Sequence, residues 1–95
     1  MNFRHLLVSY DVVDNRKRLR LSKYLKGQME RVQKSVFEGI IPDRRLEALK
    51  GGIESRINRD EDSVRIYILC ERCVSSVEVI GTGVYIERED EDVLV

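Results

Sequence analysis

Apolar positions in "FRHLLVSY" (3–10) do not alternate cleanly: along an extended chain Phe3 and Leu7 take one side, Leu6, Val8 and Tyr10 the other. The run is aromatic and branched, and too short for a helix before Asp11, so it predicts a strand covered on both faces. After the turn "DVVDN", Leu21, Leu25 and Met29, with Tyr24 beside them, recur at spacings of three and four. That period predicts an amphipathic helix over about 15–28, capped by Asp14 or Asn15. "RVQKSVFEGII" (31–41) is rich in branched residues and stops at Pro42, which makes it extended, as one long strand or as two short ones joined by a sharp bend. Asp43 is placed to cap a second helix with Leu46, Leu49, Ile53 and Ile57 on its apolar face. Gly51 and Gly52 lie inside it, each weakening it by roughly 1 kcal/mol relative to alanine. "VRIYILC" (64–70) resumes as a strand, with Val64, Ile66, Ile68 and Cys70 on one face and Tyr67 and Leu69 on the other. "VSSVEVIG" (74–81) predicts a further short strand, "GTG" a turn, and "VYIE" (84–87) a last extended piece before the acidic "REDED".

With 31–41 split into a bent pair, the order becomes βαββαβ with an additional C-terminal strand, an α+β chain of the ferredoxin-like type forming a single domain over 1–95. Right-handed crossovers lay both helices on one face of such a sheet and leave the other bare. A chain of 95 residues has nothing left to cover that second face, although its strands are apolar on both sides. The pattern therefore predicts a face-to-face homodimer about a two-fold axis, with segment 84–95 contacting the neighbour's sheet edge.

With 42% hydrophobic and 36% charged residues the chain is globular, and no apolar run is long enough to cross a bilayer, so no membrane partner is expected. No charged-then-apolar leader opens it, and a cytoplasmic location is expected. The net charge of zero hides a division: residues 1–59 carry fourteen Lys or Arg against seven Asp or Glu, and residues 60–95 carry three against ten. Within 16–34, eight basic residues (Arg16, Lys17, Arg18, Arg20, Lys23, Lys26, Arg31 and Lys34) face one acid, Glu30. That density is the footprint of a phosphate-binding surface, or else a solvated helix face.

Asp11 ends the first strand, where a rigid element holds a side chain that still reaches solvent. It can simply open the turn. One carboxylate makes a poor magnesium site, but a two-fold axis near the strand end brings two copies together and supplies two. His5, the chain's single histidine, lies inside the first strand and reads as a core or interface residue. "CERC" supplies a Cys70/Cys73 pair, half of a structural zinc site or a redox pair. The helix start expected after the strand of a thioredoxin-type motif is absent from the pattern, which favours a buried Cys70 and an incidental Cys73.

A strand ending in "VSYD" (8–11), a basic helix, "RVQKSVFEG" (31–39), a second helix and "DEDSVRIYIL" (60–69) together resemble the small CRISPR-associated endonuclease family, the smaller of the two proteins of spacer acquisition. The resemblance runs over residues 1 to about 87. It implies a ferredoxin-like homodimer acting with a larger integrase subunit, and metal-dependent cleavage of phosphodiesters in RNA or DNA. It implies that Asp11 binds magnesium or manganese, one ion shared by the two copies, and that Tyr10, Arg18, Arg20, Arg31, Ser35 and Phe37 belong to the active region. A non-catalytic DNA-binding scaffold for the integrase is the other role it implies. "CERC" and the acidic tail depart from the family pattern.

Overall fold

The computed structural model of the protein describes residues 2–86. The extended segment 3–11 forms β1 (Phe3–Asp11) at the interior of a four-stranded antiparallel sheet, order β2-β3-β1-β4. Segment 31–41 is two strands, β2 (Glu30–Gln33) and β3 (Val36–Pro42), joined at Lys34 and Ser35, with the register shifting between Arg31 and Gln33. The last strand of the sheet is β4 (Ser63–Leu69). This is the ferredoxin-like arrangement expected from the element order.

Helix α1 (Asn15–Lys26) starts where Asp14 accepts from the Lys17 N–H at 2.9 Å and ends at Gly27. Helix α2 (Leu46–Glu54) carries Leu49 and Ile53 inward. Leu21 and Leu25 of α1 join them over Leu6, Val8, Tyr10, Phe37 and Ile41, a single core on one side of the sheet. Directly paired residues share a face, so the pairs Leu6↔Ile68, Val8↔Ile66 and Tyr10↔Val64 look toward the helices. Phe3, His5, Leu7, Ser9 and Asp11 look away, beside Leu69, Tyr67, Arg65 and Ser63 of β4. Gly52 has a packing reason to be glycine, because a Cβ there would overlap the Tyr24 hydroxyl.

Some expectations are corrected. Asp43 does not cap a helix: it opens a single 3-10 turn, Asp43–Arg45, and its carboxylate is taken by Arg4 Nε at 2.5 Å. Helix α2 stops at Glu54, so Ile57 packs on the core from beyond the helix end. Residues 74–81 are not a strand. The chain leaves β4 straight into α3 (Glu71–Ser75), where Cys70 Sγ accepts from the Cys73 N–H and the Ser75 and Ser76 hydroxyls donate to the Arg72 carbonyl. These local bonds displace a ladder, and Val77, Val79 and Ile80 are left exposed, paired with no strand among the described residues. Cys70 is exposed rather than buried. "GTG" is a turn, with Gly81 and Gly83 at φ of 98° and 70°. Residues 84–86 carry no regular structure, and the rest of the proposed C-terminal strand, 87–95, lies outside the described residues. Among the described residues no helix is long and apolar enough to cross a membrane.

Candidate functional site

Alternation along β1 separates its last two residues. Tyr10 is 5% exposed on the helix side, its ring stacked on Phe37 with centroids 6.2 Å apart, whereas Asp11 is exposed on the open side, opposite Ser63. A strand end thus presents one carboxylate to solvent from a backbone anchored by its neighbour.

Two turns flank that carboxylate, and both are held by named side chains. After β1, the Val13 N–H donates to Asp62 Oδ1 at 2.9 Å and the Asn58 N–H donates to Asp62 Oδ2 at 2.7 Å, tying the turn to the approach to β4. Those N–H groups, Asn58 first and Val13 next, hold the Asp62 carboxyl below its ordinary range against a small opposing desolvation, with Lys17 nearby adding to the effect. Arg18 donates from Nη1 to the Val12 carbonyl at 2.9 Å and from Nη2 to Asn15 Oδ1. In the β2–β3 turn the Lys34 carbonyl accepts from Arg31 Nε at 3.1 Å, Arg31 Nη2 at 2.6 Å and the Tyr10 hydroxyl at 3.4 Å. Arg31 also lies over the Phe37 and Tyr85 rings, at 5.7 and 5.0 Å. The Tyr10 N–H donates to the Ser35 carbonyl at 3.1 Å, which seats this turn against the end of β1.

Of the residues the sequence singled out, Asp11 alone stands exposed on the open face at this strand end. Tyr10, Phe37 and Arg31 are buried beneath the β2–β3 turn, Ser35 forms part of that turn, and Arg18 fastens the β1–α1 turn. The basic positions divide. Arg16 and Lys17 lie in the first turn of α1, close in sequence to Asp11, and Lys34 is exposed on the neighbouring turn. Arg20 and Lys23 share a groove of about 580 Å³ with Tyr24, Ser55 and Arg56, where the Arg56 guanidinium sits 4.0 Å from the centre of the Tyr24 ring. Lys26 lines a recess with His5, Glu30 and Glu38, near the start of β1. His5 is on the open face, its Nε2 3.2 Å from Glu38 Oε1.

Two residues escaped the sequence reading. Arg65 pairs with Ser9 and so lies on the open face one ladder step from Asp11; its signal was the charged interruption of "VRIYIL" at the position in phase with Tyr67 and Leu69. Asp62 clamps the turn after Asp11, and nothing in "NRDEDS" distinguishes it from its acidic neighbours. Among the described residues no three His, Cys, Asp or Glu side chains gather into a metal cage.

The family model for CRISPR associated protein Cas2 matches residues 4–77. The chain belongs to the Cas2 family. It is 39% identical over 88 residues to the CRISPR-associated endoribonuclease Cas2 of Thermus thermophilus, covering 93% of this chain and 94% of that one. It is 36% identical over 94 residues to a CRISPR-associated endonuclease Cas2 from another strain of that species, covering 99% of this chain and 100% of the relative. A chain of the solved partial Cas6-RT-Cas1–Cas2 complex superposes with a TM-score of 0.72 at 30% identity, covering 81% of this chain and 84% of that one. The family match runs from Arg4 in β1 through β4 and takes in both turns beside Asp11.

Proposed function

We propose that this Cas2 chain is a metal-dependent endonuclease that works as a homodimer with a larger integrase subunit in CRISPR spacer acquisition. The observation that carries the chemistry is the exposed Asp11 on the open sheet face, at a strand end whose two adjoining turns are both fastened by side chains. Relatives named endoribonuclease and endonuclease over nearly the full chain support cleavage of phosphodiesters. The neighbour solved with Cas1 supports the integrase partner.

A hard divalent ion suits this donor set better than zinc does. Magnesium and manganese sites use one or two carboxylates with water and phosphate oxygens completing the shell, and among the described residues one protomer offers Asp11 without a surrounding cage. The open face carries Phe3, Leu7, Ile40, Tyr67 and Leu69 toward the start of β1, and Ser9, Asp11, Ser63 and Arg65 toward its end. Apolar residues at one end give a second copy something to bury, and with the copies so paired Asp11 and Asp11 of the partner subunit would be the residues to hold the ion. Bound there, magnesium or manganese would make a coordinated water more acidic and would act as a Lewis acid toward the phosphate oxygens.

The protein's own groups do the rest. Asp62 and Arg18 keep the turn after Asp11 from opening, so its carboxylate stays where the strand puts it. Arg16, Lys17 and Lys34 attract the phosphate backbone, and Arg65 offers a guanidinium on the face of Asp11 for charge developing on phosphorus oxygens. Arg20, Lys23 and Arg56 extend the backbone contact along the α1–α2 groove.

A scaffold is the second reading, favoured by how many of the expected site residues are engaged in holding turns. It leaves chemistry to the integrase and keeps the basic surface for DNA. Parallel cleavage and integration assays on wild type and Asp11→Ala, with magnesium, manganese or a chelator, separate the two. Cleavage is expected to fall by about a hundredfold or more, the scale of losing a transition-state charge stabiliser, with an unchanged melting temperature. Retained integration then assigns scaffolding to the protomer in acquisition. Cleavage that survives the substitution removes Asp11 from the chemistry.

A further inference from the structure

Cys70 and Cys73 take no part in the machinery above. Their sulfurs lie 3.3 Å apart where the chain passes from β4 into α3, and both residues are exposed. The pairing has a local cause. A helical turn closing directly after the strand brings residues three apart onto one side, and the Cys73 N–H donates to Cys70 Sγ at 3.4 Å. A disulfide bond of about 2 Å lies only about 1 Å of sulfur movement away. Hydrogen bonds from the Cys73 backbone and thiol hold the Cys70 thiol below its ordinary range, and the same contact pushes the Cys73 thiol up. One sulfur is therefore the nucleophile and the other the resolving partner. A metal needs more ligands than two thiols, and among the described residues no third His, Cys, Asp or Glu joins them.

We propose that Cys70 and Cys73 form a redox-active dithiol that closes to an intramolecular disulfide by exchange with a low-molecular-weight disulfide. The Cys70 thiolate attacks one sulfur of the reagent, whose own sulfur–sulfur bond breaks and releases the first small thiolate, leaving a mixed disulfide on Cys70. Cys73 then loses its proton and attacks Cys70 Sγ, breaking the mixed disulfide and releasing the second small thiolate. Two electrons and two protons leave the protein, and the reagent is reduced to two thiols. The pair sits beside Val74 and Ser75, which line an apolar recess of about 320 Å³ with Phe3, His5, Ile40 and Leu69 at the border of the open sheet face. Closing the disulfide fixes the helical turn that forms one wall of that recess.

The test treats the full chain with glutathione disulfide and counts free thiols and adducts by alkylation and intact mass. Wild type is expected to lose both thiols, keep no glutathione and regain both thiols with dithiothreitol. Cys73→Ser is expected to stop at one stable glutathione adduct, and Cys70→Ser to react several-fold more slowly than Cys73→Ser, since only the latter keeps the thiol that accepts from the residue 73 backbone N–H. Neither change touches the core, so both variants report on the fold that the wild type has. A wild type that keeps an adduct on each thiol, links chains to one another, or reacts no differently from Cys73→Ser overturns the proposal. So does protection of both thiols by added zinc at one ion per two chains, which would assign the pair to a shared metal site instead.

Discussion

Alternate residues of the same strands line the two faces of the sheet and meet opposite conditions. On the helix side Leu6, Val8 and Phe37 have no exposed surface, while on the open side Phe3 is 56%, Ile40 62% and Tyr67 44% exposed. Adjacent in sequence, Tyr10 and Asp11 fall on different sides of that divide. The covered face is closed over β1 and β3 within one chain, with Ile68 of β4 still 50% exposed, and it specifies the backbone. The open face is left unfinished, with apolar residues at one end and a carboxylate, a guanidinium and two hydroxyls at the other. A residue's place in the family pattern does not by itself say which of these two jobs it has: Phe37 and Asp11 both belong to the expected active region, and one is core while the other faces solvent.

The strongest test of the covered face is Phe37→Ala. The ring is fully buried between Tyr10 and the core and lies beneath the Arg31 guanidinium, so its removal is expected to cost about 3–5 kcal/mol in urea denaturation. A loss under about 1 kcal/mol would mean that the two faces differ less than their burial indicates. On the open face, Tyr67→Glu puts a charge among the apolar residues that a second copy would bury. The dissociation constant of the dimer is expected to rise about tenfold or more, about 1.4 kcal/mol, by light scattering across a concentration series. An unchanged mass at every concentration would move the interface elsewhere. The smallest expected effect is that of Asp62→Asn, which acts on the turn where the two faces meet. Folding holds the Asp62 carboxyl below its ordinary value of 3.8, so its contribution is complete above that value and disappears as pH falls through the lower folded one. Thermal melts of wild type from about pH 5 down to about pH 2 should show a slight acid loss that the variant lacks. The group is only partly covered, so solvent screening keeps the effect small; equal slopes would leave the Asp62 clamp without thermodynamic weight.

Much of the fold is legible in the order of residues alone. The 3.6-residue period of Leu21, Leu25 and Met29 and the mixed faces of β1 and β4 are local signals, readable from spacing, and they carry the βαββαβ order. Asp11 is legible in the same way as a strand-end carboxylate. The features that spacing misses depend on contacts between distant segments or on competition between local bonds. Asp43 has the position of a cap, but Arg4, 39 residues away, takes its carboxylate. "VSSVEV" has the composition of a strand, but Cys70 and the two serines satisfy a helical turn and leave the run without a ladder partner among the described residues.

What the sequence determined by itself, then, was the alternation of elements and which side chains share a face, because both follow from backbone periodicity and the need to bury apolar surface. Only the tertiary structure decided what each polar residue does. Whether an arginine meets phosphate or a carbonyl, as Arg31 meets Lys34, depends on which acceptors the fold brings within about 3 Å. Whether two cysteines are incidental or paired depends likewise on the turn the chain takes at Glu71. Periodicity says where a side chain points; what it meets there is set by chain that is distant in sequence.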